Sequence, residues 1–201
     1  MANADRPSGL SPVSYINGSP WTGGGRVYCV LDTEDTNVYA IGDPVVVAGD
    51  ADTNGVPSIT LATAGSTNLV TGAIVGMGGK KYGSGYFDPD NLSLTVVPAT
   101  KARNYYFLVA DDPNIIFEIQ EVSGGTALTS AAVSLNASLV AGTNNGFVSG
   151  WELDNATEAA TAALQLRILG LAQRPDNAYG EHAKWLVLIN NHTYRTGVAG
   201  A

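Results

Sequence analysis

The stretch Tyr105-Tyr-Phe-Leu-Val-Ala110, Asp111-Asp-Pro-Asn114, Ile115-Ile-Phe-Glu-Ile-Gln-Glu121 constrains the fold more than any other. Proline presets φ for the first central position of a turn, asparagine tolerates the second, and apolar residues on both sides recur at strand period. The pattern predicts a hairpin. The rest of the chain is written in the same way and nowhere gathers the acid, base and nucleophile of a catalytic site. The expectation is a β-rich structural or binding protein that is not an enzyme.

Further strands are expected wherever short apolar runs fall between turn residues. Val27 to Leu31 reads as one, with a return at Val38 to Ile41; Val45 to Val47, Ile59 to Ala62, Leu69 to Val75 and Leu92 to Val97 follow at close spacing. Leu164, Leu166 and Ile168 alternate with polar neighbours after a helix-like alanine stretch at Thr157 to Ala163. Trp185, Val187 and Ile189 belong to a strand apolar on both faces, which predicts a central position. Ala127 to Val133 reads equally as strand or weak helix. With 24 Gly, 9 Pro and only 14% charged residues, the composition agrees with many short strands and tight turns.

The fold class expected is therefore mainly β: short antiparallel strands in a barrel- or sandwich-like body with an extended N-terminal arm. Residues 1–25 form the arm, since Pro7, Pro12, Pro20 and Trp21-Thr-Gly-Gly-Gly25 interrupt any packed element. Residues 26–201 form the body, with a subdivision into 26–100 and 101–201 open at Pro98 to Ala102.

A net charge of -8 opposes binding to phosphate backbones, and the ten Lys and Arg residues are scattered, so nucleic acid is not an expected partner. The single cysteine, Cys29, lies in an apolar run and excludes a disulfide framework. Neither a secretory signal nor a membrane-spanning apolar stretch is visible, which points to synthesis in a cytoplasm without a membrane partner.

Several constellations imitate chemistry without completing it. Asp50-Ala-Asp52-Thr-Asn54-Gly55 opens like a calcium loop, but Leu61 stands where the closing Glu belongs, and an Asx-type turn is the better account. Gly76-Met-Gly-Gly-Lys-Lys81 lacks the spacing and hydroxyl of a phosphate loop. Asp111 and Asp112 suit a turn, and Glu118 alternates toward a polar face. His182 and His192 sit in no metal or nucleophile motif and read as surface or hydrogen-bonded residues. No catalytic residue, cofactor or metal is expected. Of Trp21, Trp151 and Trp185, the last reads as core and Trp21 as a contact residue.

Met1-Ala-Asn-Ala-Asp-Arg-Pro7, Val109-Ala-Asp-Asp-Pro-Asn114 with Phe117-Glu-Ile-Gln120, Gln165-Leu-Arg-Ile-Leu-Gly170 with Arg174-Pro-Asp-Asn-Ala-Tyr-Gly180, and Ile189-Asn-Asn-His192 together resemble a family of tailed-bacteriophage virion proteins described as structural or head decoration (cement) proteins. The resemblance runs from the opening to Asn190 and is strongest in the second half; none of its motifs is catalytic.

What it implies is a β-rich virion protein on the outer surface of the expanded head, synthesised in the host cytoplasm, bridging capsomers as a homotrimer or homodimer. Its partners would be the major capsid protein and itself. An ordered arm needs apolar anchors, which singles out Pro7, Leu10, Pro12, Tyr15 and Trp21 as capsid or subunit contacts. Deleting residues 1–21 is then expected to abolish capsid binding and leave the β body folded. The alternative is a phage tail or host-adhesion component that binds a surface glycan through the Gly76 to Tyr86 loop, with Tyr82 and Tyr86 stacking on sugar.

Overall fold

The longer apolar alternations become strands. In a computed structural model that describes residues 3–32, 35–78, 94–195 and 200, the strands run in the order β1 (Ser11–Tyr15), β2 (Arg26–Val30), β3 (Tyr39–Ala40), β4 (Pro44–Ala51), β5 (Pro57–Leu61), β6 (Gly72–Met77) and β7 (Val96–Val97), followed by β8 (Tyr105–Ala110), β9 (Ile115–Gln120), β10 (Asn136–Ala137), β11 (Leu139–Val140), β12 (Glu152–Leu153), β13 (Leu166–Leu171) and β14 (Lys184–Ile189). The fold is mainly β, with one short 3-10 turn at Ser130–Ala132 among the described residues.

Five strands close a barrel in the order β2-β5-β4-β6-β8. The β2–β5 contact is parallel and the other neighbours are antiparallel. Alternate side chains point inward, so Tyr28, Val30, Val45, Ile59, Ile74, Phe107 and Val109 form one core, joined by Tyr39 and Val97 of the small β3–β7 ladder. A second, open sheet has the order β1-β9-β14-β13-β10. Phe117, Trp185, Val187 and Ile168 pack with Ala62, Ala73 and Ala110 from the barrel wall, so the two bodies share a core. Each large side chain buried there contributes roughly 1.5–3 kcal/mol. As expected, β14 is central: β9 and β13 flank it and Trp185 is fully buried.

The strand and turn readings at 105–121 agree with the structure, but the hairpin is corrected. Both edges of β8 are occupied, by β2 and β6, while β9 lies between β1 and β14. Asp111–Asn114 is a corner that carries the chain from barrel to sheet. Its turn is an Asx type, with Asn114 N donating to Asp112 Oδ1 (2.8 Å) and Ile115 N to Asp112 O (3.1 Å). The change of body therefore falls beyond Pro98 to Ala102.

Two other pairings differ from expectation. Tyr39 and Ala40 do not return along β2 but pair with β7. Residues 157–163 form no helix, because Ala159 exchanges both backbone bonds with Asn136 (2.8 and 2.9 Å) and extends the β10 edge. Ala127 to Val133 contains the 3-10 turn, capped by the Thr129 hydroxyl.

Candidate interaction surface

The opening residues are extended, but they lie along the body of their own chain. Asn3 Nδ2 donates to the carbonyls of Ala178 (2.8 Å) and Glu181 (2.9 Å), and its Oδ1 accepts from Ala178 N. Arg6 N donates to Gln120 Oε1 at 2.8 Å. At Gly9 the chain crosses Gly42: both have positive φ, a Cβ on either would collide with the carbonyl opposite, and Leu10 N donates to Gly42 O (2.9 Å).

This placement changes the expected contact set. Leu10 is fully buried in the core beneath the sheet, so it has no surface to offer a partner. Pro7, Pro12, Tyr15 and Trp21 are partly exposed, and Tyr15 and Trp21 lean on the same core. A deletion of residues 1–21 would remove β1 and Leu10 and cannot leave this sheet intact.

Strand β1 is the outer strand of its sheet. It pairs with β9 through Ser11–Glu118, Pro12–Phe117, Ser14–Ile116 and Tyr15–Ile115, with a bulge between Pro12 and Ser14. Proline fits an edge position next to a bulge because one ladder donor is lost there anyway. The chain then folds back, with Tyr15 N donating to Ser19 O (2.8 Å) and Trp21 N to Val13 O (3.1 Å). The bulge turns Val13 outward, 45% exposed, and Ile16 at the strand's end is 58% exposed. Two apolar side chains thus project from one edge beside Pro12 and Trp21. Selecting bulky residues along an arm missed them; their signal is that Val13 stands opposite in strand parity to Pro12 and Ser14.

Asp52, Asp111 and Glu118 have structural partners. Asp52 Oδ1 accepts from Asn54 N (2.8 Å) and Val56 N (2.9 Å), and Oδ2 from Tyr106 OH (2.8 Å), which is the Asx-type turn expected. Burial opposes its charge, but the donations from Val56, Tyr106 and Asn54 outweigh it and hold its pKa at about 2. Asp111 accepts from Arg26 Nε (2.5 Å) and Tyr28 OH (2.6 Å). Glu118 meets Arg174 Nη1 at 2.8 Å.

His192 is buried, with Nδ1 accepting from Tyr194 N (3.0 Å). Burial, and then the charge of Arg195, push its pKa down to about 4. His182 belongs to a group that the sequence does not announce, because its members come from distant segments: Asp5, Glu152 and His182 converge with their ligand atoms within 4.8 Å of one another. The buried amide of Gln120 occupies the middle. Its Nε2 donates to Asp5 Oδ1 and Glu152 Oε1, both at 2.9 Å, and lies 3.4 Å from His182 Nδ1. The group acts as a polar clasp that holds the opening segment to β9.

Trp151 and Trp185 are core residues. The proposed glycan loop, with Lys80, Lys81, Tyr82 and Tyr86, lies outside the described residues from position 79 onward. No family model matches this chain, and no match was found among curated proteins or solved structures.

Proposed function

We propose that the chain is a non-enzymatic head decoration protein of a tailed bacteriophage, which attaches to the outside of the expanded capsid and bridges capsomers as a homotrimer or homodimer. The observation that carries the reading beyond the family resemblance is the pair Val13 and Ile16, two half-exposed apolar side chains on a sheet edge. Apolar groups set in a polar surface are the usual centre of a protein interface. Burying them against a capsomer, at many equivalent sites, would raise the cost of separating capsomers under internal DNA pressure. Oligomerisation raises the effective concentration of the remaining sites once one subunit is docked, so modest contacts suffice. The acidic charge of -8 suits a surface facing away from packaged DNA.

The test is sedimentation of the purified protein with mature, undecorated heads, followed by heating of the loaded shells. Saturable co-sedimentation and raised shell stability are expected for the native chain. The double variant Val13→Ser, Ile16→Ser should remain folded and lose binding. Failure of the native chain to bind any head form would reject the role, and full binding by the variant would reject this surface.

A further inference from the structure

Between the opening segment and the loop that leads into β14 lies a pocket of about 250 Å³, lined by Asn3, Arg6, Arg174, Asp176, His182 and Lys184 together with Ala4 and Asn177. The chain has 18 acidic and only 10 Lys and Arg residues, yet three of those basic side chains face this one cavity. They are not equally committed. Arg174 is clamped, with Nε and Nη2 donating to Asp176 (3.1 and 3.0 Å) and Nη1 to Glu118 (2.8 Å), which leaves one N–H on each terminal nitrogen. The nearest carboxylate oxygen to Lys184 Nζ belongs to Glu118 at 3.8 Å, beyond hydrogen-bond reach. Among the described residues, the Arg6 guanidinium has neither a hydrogen bond nor an ion pair; only its backbone N–H is engaged.

The walls are stiff. Asn177 Nδ2 is held by the carbonyls of Ala172 and Lys184, both at 2.8 Å, and Asn3 by Ala178 and Glu181. Cationic donors without a hydrogen-bond partner suit an anion, and because the frame is fixed only the Arg6 and Lys184 side chains remain to be ordered on binding. Asp176, though paired with Arg174, biases the choice: its charge disfavours a doubly charged phosphate more than a singly charged carboxylate, and its remaining lone pairs accept hydrogen bonds from hydroxyl groups. The volume is below the ~300–1,000 Å³ of pockets for drug-sized ligands, which suits one sugar unit and not an oligosaccharide.

We infer that this pocket binds a carboxylate-bearing monosaccharide, a hexuronate or sialate unit, with Arg6 and Lys184 gripping the carboxylate and Asp176 reading a hydroxyl. The inference does not depend on the capsid role.

Titration of the isolated protein with sodium glucuronate and with N-acetylneuraminate, followed by amide NMR, tests it. One of these probes should saturate the protein and shift the side-chain amides of Asn3 and Asn177. Glucose should bind at least tenfold more weakly. Arg6→Ala, at an exposed position, should weaken binding at least tenfold with an unchanged melting temperature, and Lys184→Met should do the same. Absence of saturation by both acidic sugars, equal binding of glucose, or unchanged affinity of Arg6→Ala would overturn the site. Displacement of the sugar by an equal concentration of inorganic phosphate would overturn the assignment of a sugar carboxylate.

Discussion

The barrel and the open sheet solve the burial problem differently. The barrel strands come from one continuous stretch, Arg26 to Ala110, and three of its buried tyrosines end on carboxylates: Tyr28 on Asp111, Tyr39 on Asp35 and Tyr106 on Asp52. The rings of Tyr28 and Tyr39 pack in the barrel core and that of Tyr106 in a smaller cluster with Cys29 and Val56, and each buried hydroxyl has to find an acceptor. Burial, and then those aspartates, raise the pKa of all three phenols. The sheet draws its strands from both halves of the chain and rests a broad apolar face on the barrel wall. Its largest polar exception is Trp185, whose Nε1 donates to Glu121 Oε2 at 2.6 Å. A closed body is pinned by polar tips at its margin, whereas a stacked one is held by area.

That contrast breaks most sharply at Lys101. Its side chain is fully buried and donates to Asp35 Oδ1 (2.8 Å) and to the carbonyls of Asp35 (3.0 Å) and Asn37 (2.9 Å). Burial opposes the Asp35 charge, but Lys101 and Tyr39 outweigh it and hold its pKa below the usual value. Lys101→Met leaves that carboxylate without its cation and should cost about 3–5 kcal/mol in urea unfolding. A loss below about 1 kcal/mol would mean that the barrel is held by area as well.

In the sheet the corresponding lesion is apolar. Leu10→Ala should cost about 2–5 kcal/mol by lost transfer energy and a cavity. If stability were unchanged, the opening segment would not belong to the body.

His192 links the two regions, since it bridges to Val70 beside the barrel. Its folded pKa of about 4 lies below the ordinary 6.5. Between those values the unfolded chain takes up a proton that the folded chain refuses, so stability from this residue is full above pH 6.5 and is lost as pH falls toward 4. The total is about 3 kcal/mol. Urea midpoints at the two pH values should converge in His192→Gln; an undiminished pH dependence would remove His192 as its source.

The smallest effect is expected at Tyr106→Phe. Asp52 keeps its Asn54 and Val56 donors, so about 1 kcal/mol should be lost. A much larger loss would show that the hydroxyl carries more of the barrel's closure than its single bond suggests.

Strand existence was legible in the residues because alternation reports burial directly, as at Trp185, Val187 and Ile189. Partner choice was not. Phe107 and Val109 serve the barrel core, while Ile115, Phe117 and Ile119 serve the sheet, and nothing in the period of either run says that the two faces look into different interiors. Pro113 and Asn114 make a turn whether the strands beyond it pair or part. Among the contact residues, Leu10 was misread for a similar reason: it is as apolar as a docking anchor, and only the fold shows that its own chain uses it. The clasp of Asp5, Gln120, Glu152 and His182 had no local signal, since its members are neighbours only after folding.

The crossing at Gly9 and Gly42 bears on how the molecule is built during translation. Every barrel strand has been synthesised once Ala110 emerges, whereas Leu10 packs in a core with Phe117, and β9 completes its sheet only with β14. At about 5–20 residues per second, Leu10 waits roughly 5–20 seconds for the strand above it. The barrel strands end at Ala110, while β13 and β14 begin only at Leu166 and Lys184, so synthesis delivers every barrel strand before the sheet has its central strand. Leu10, which donates to the Gly42 carbonyl between β3 and β4, thus has a docking point on the earlier-made body before its own sheet is complete.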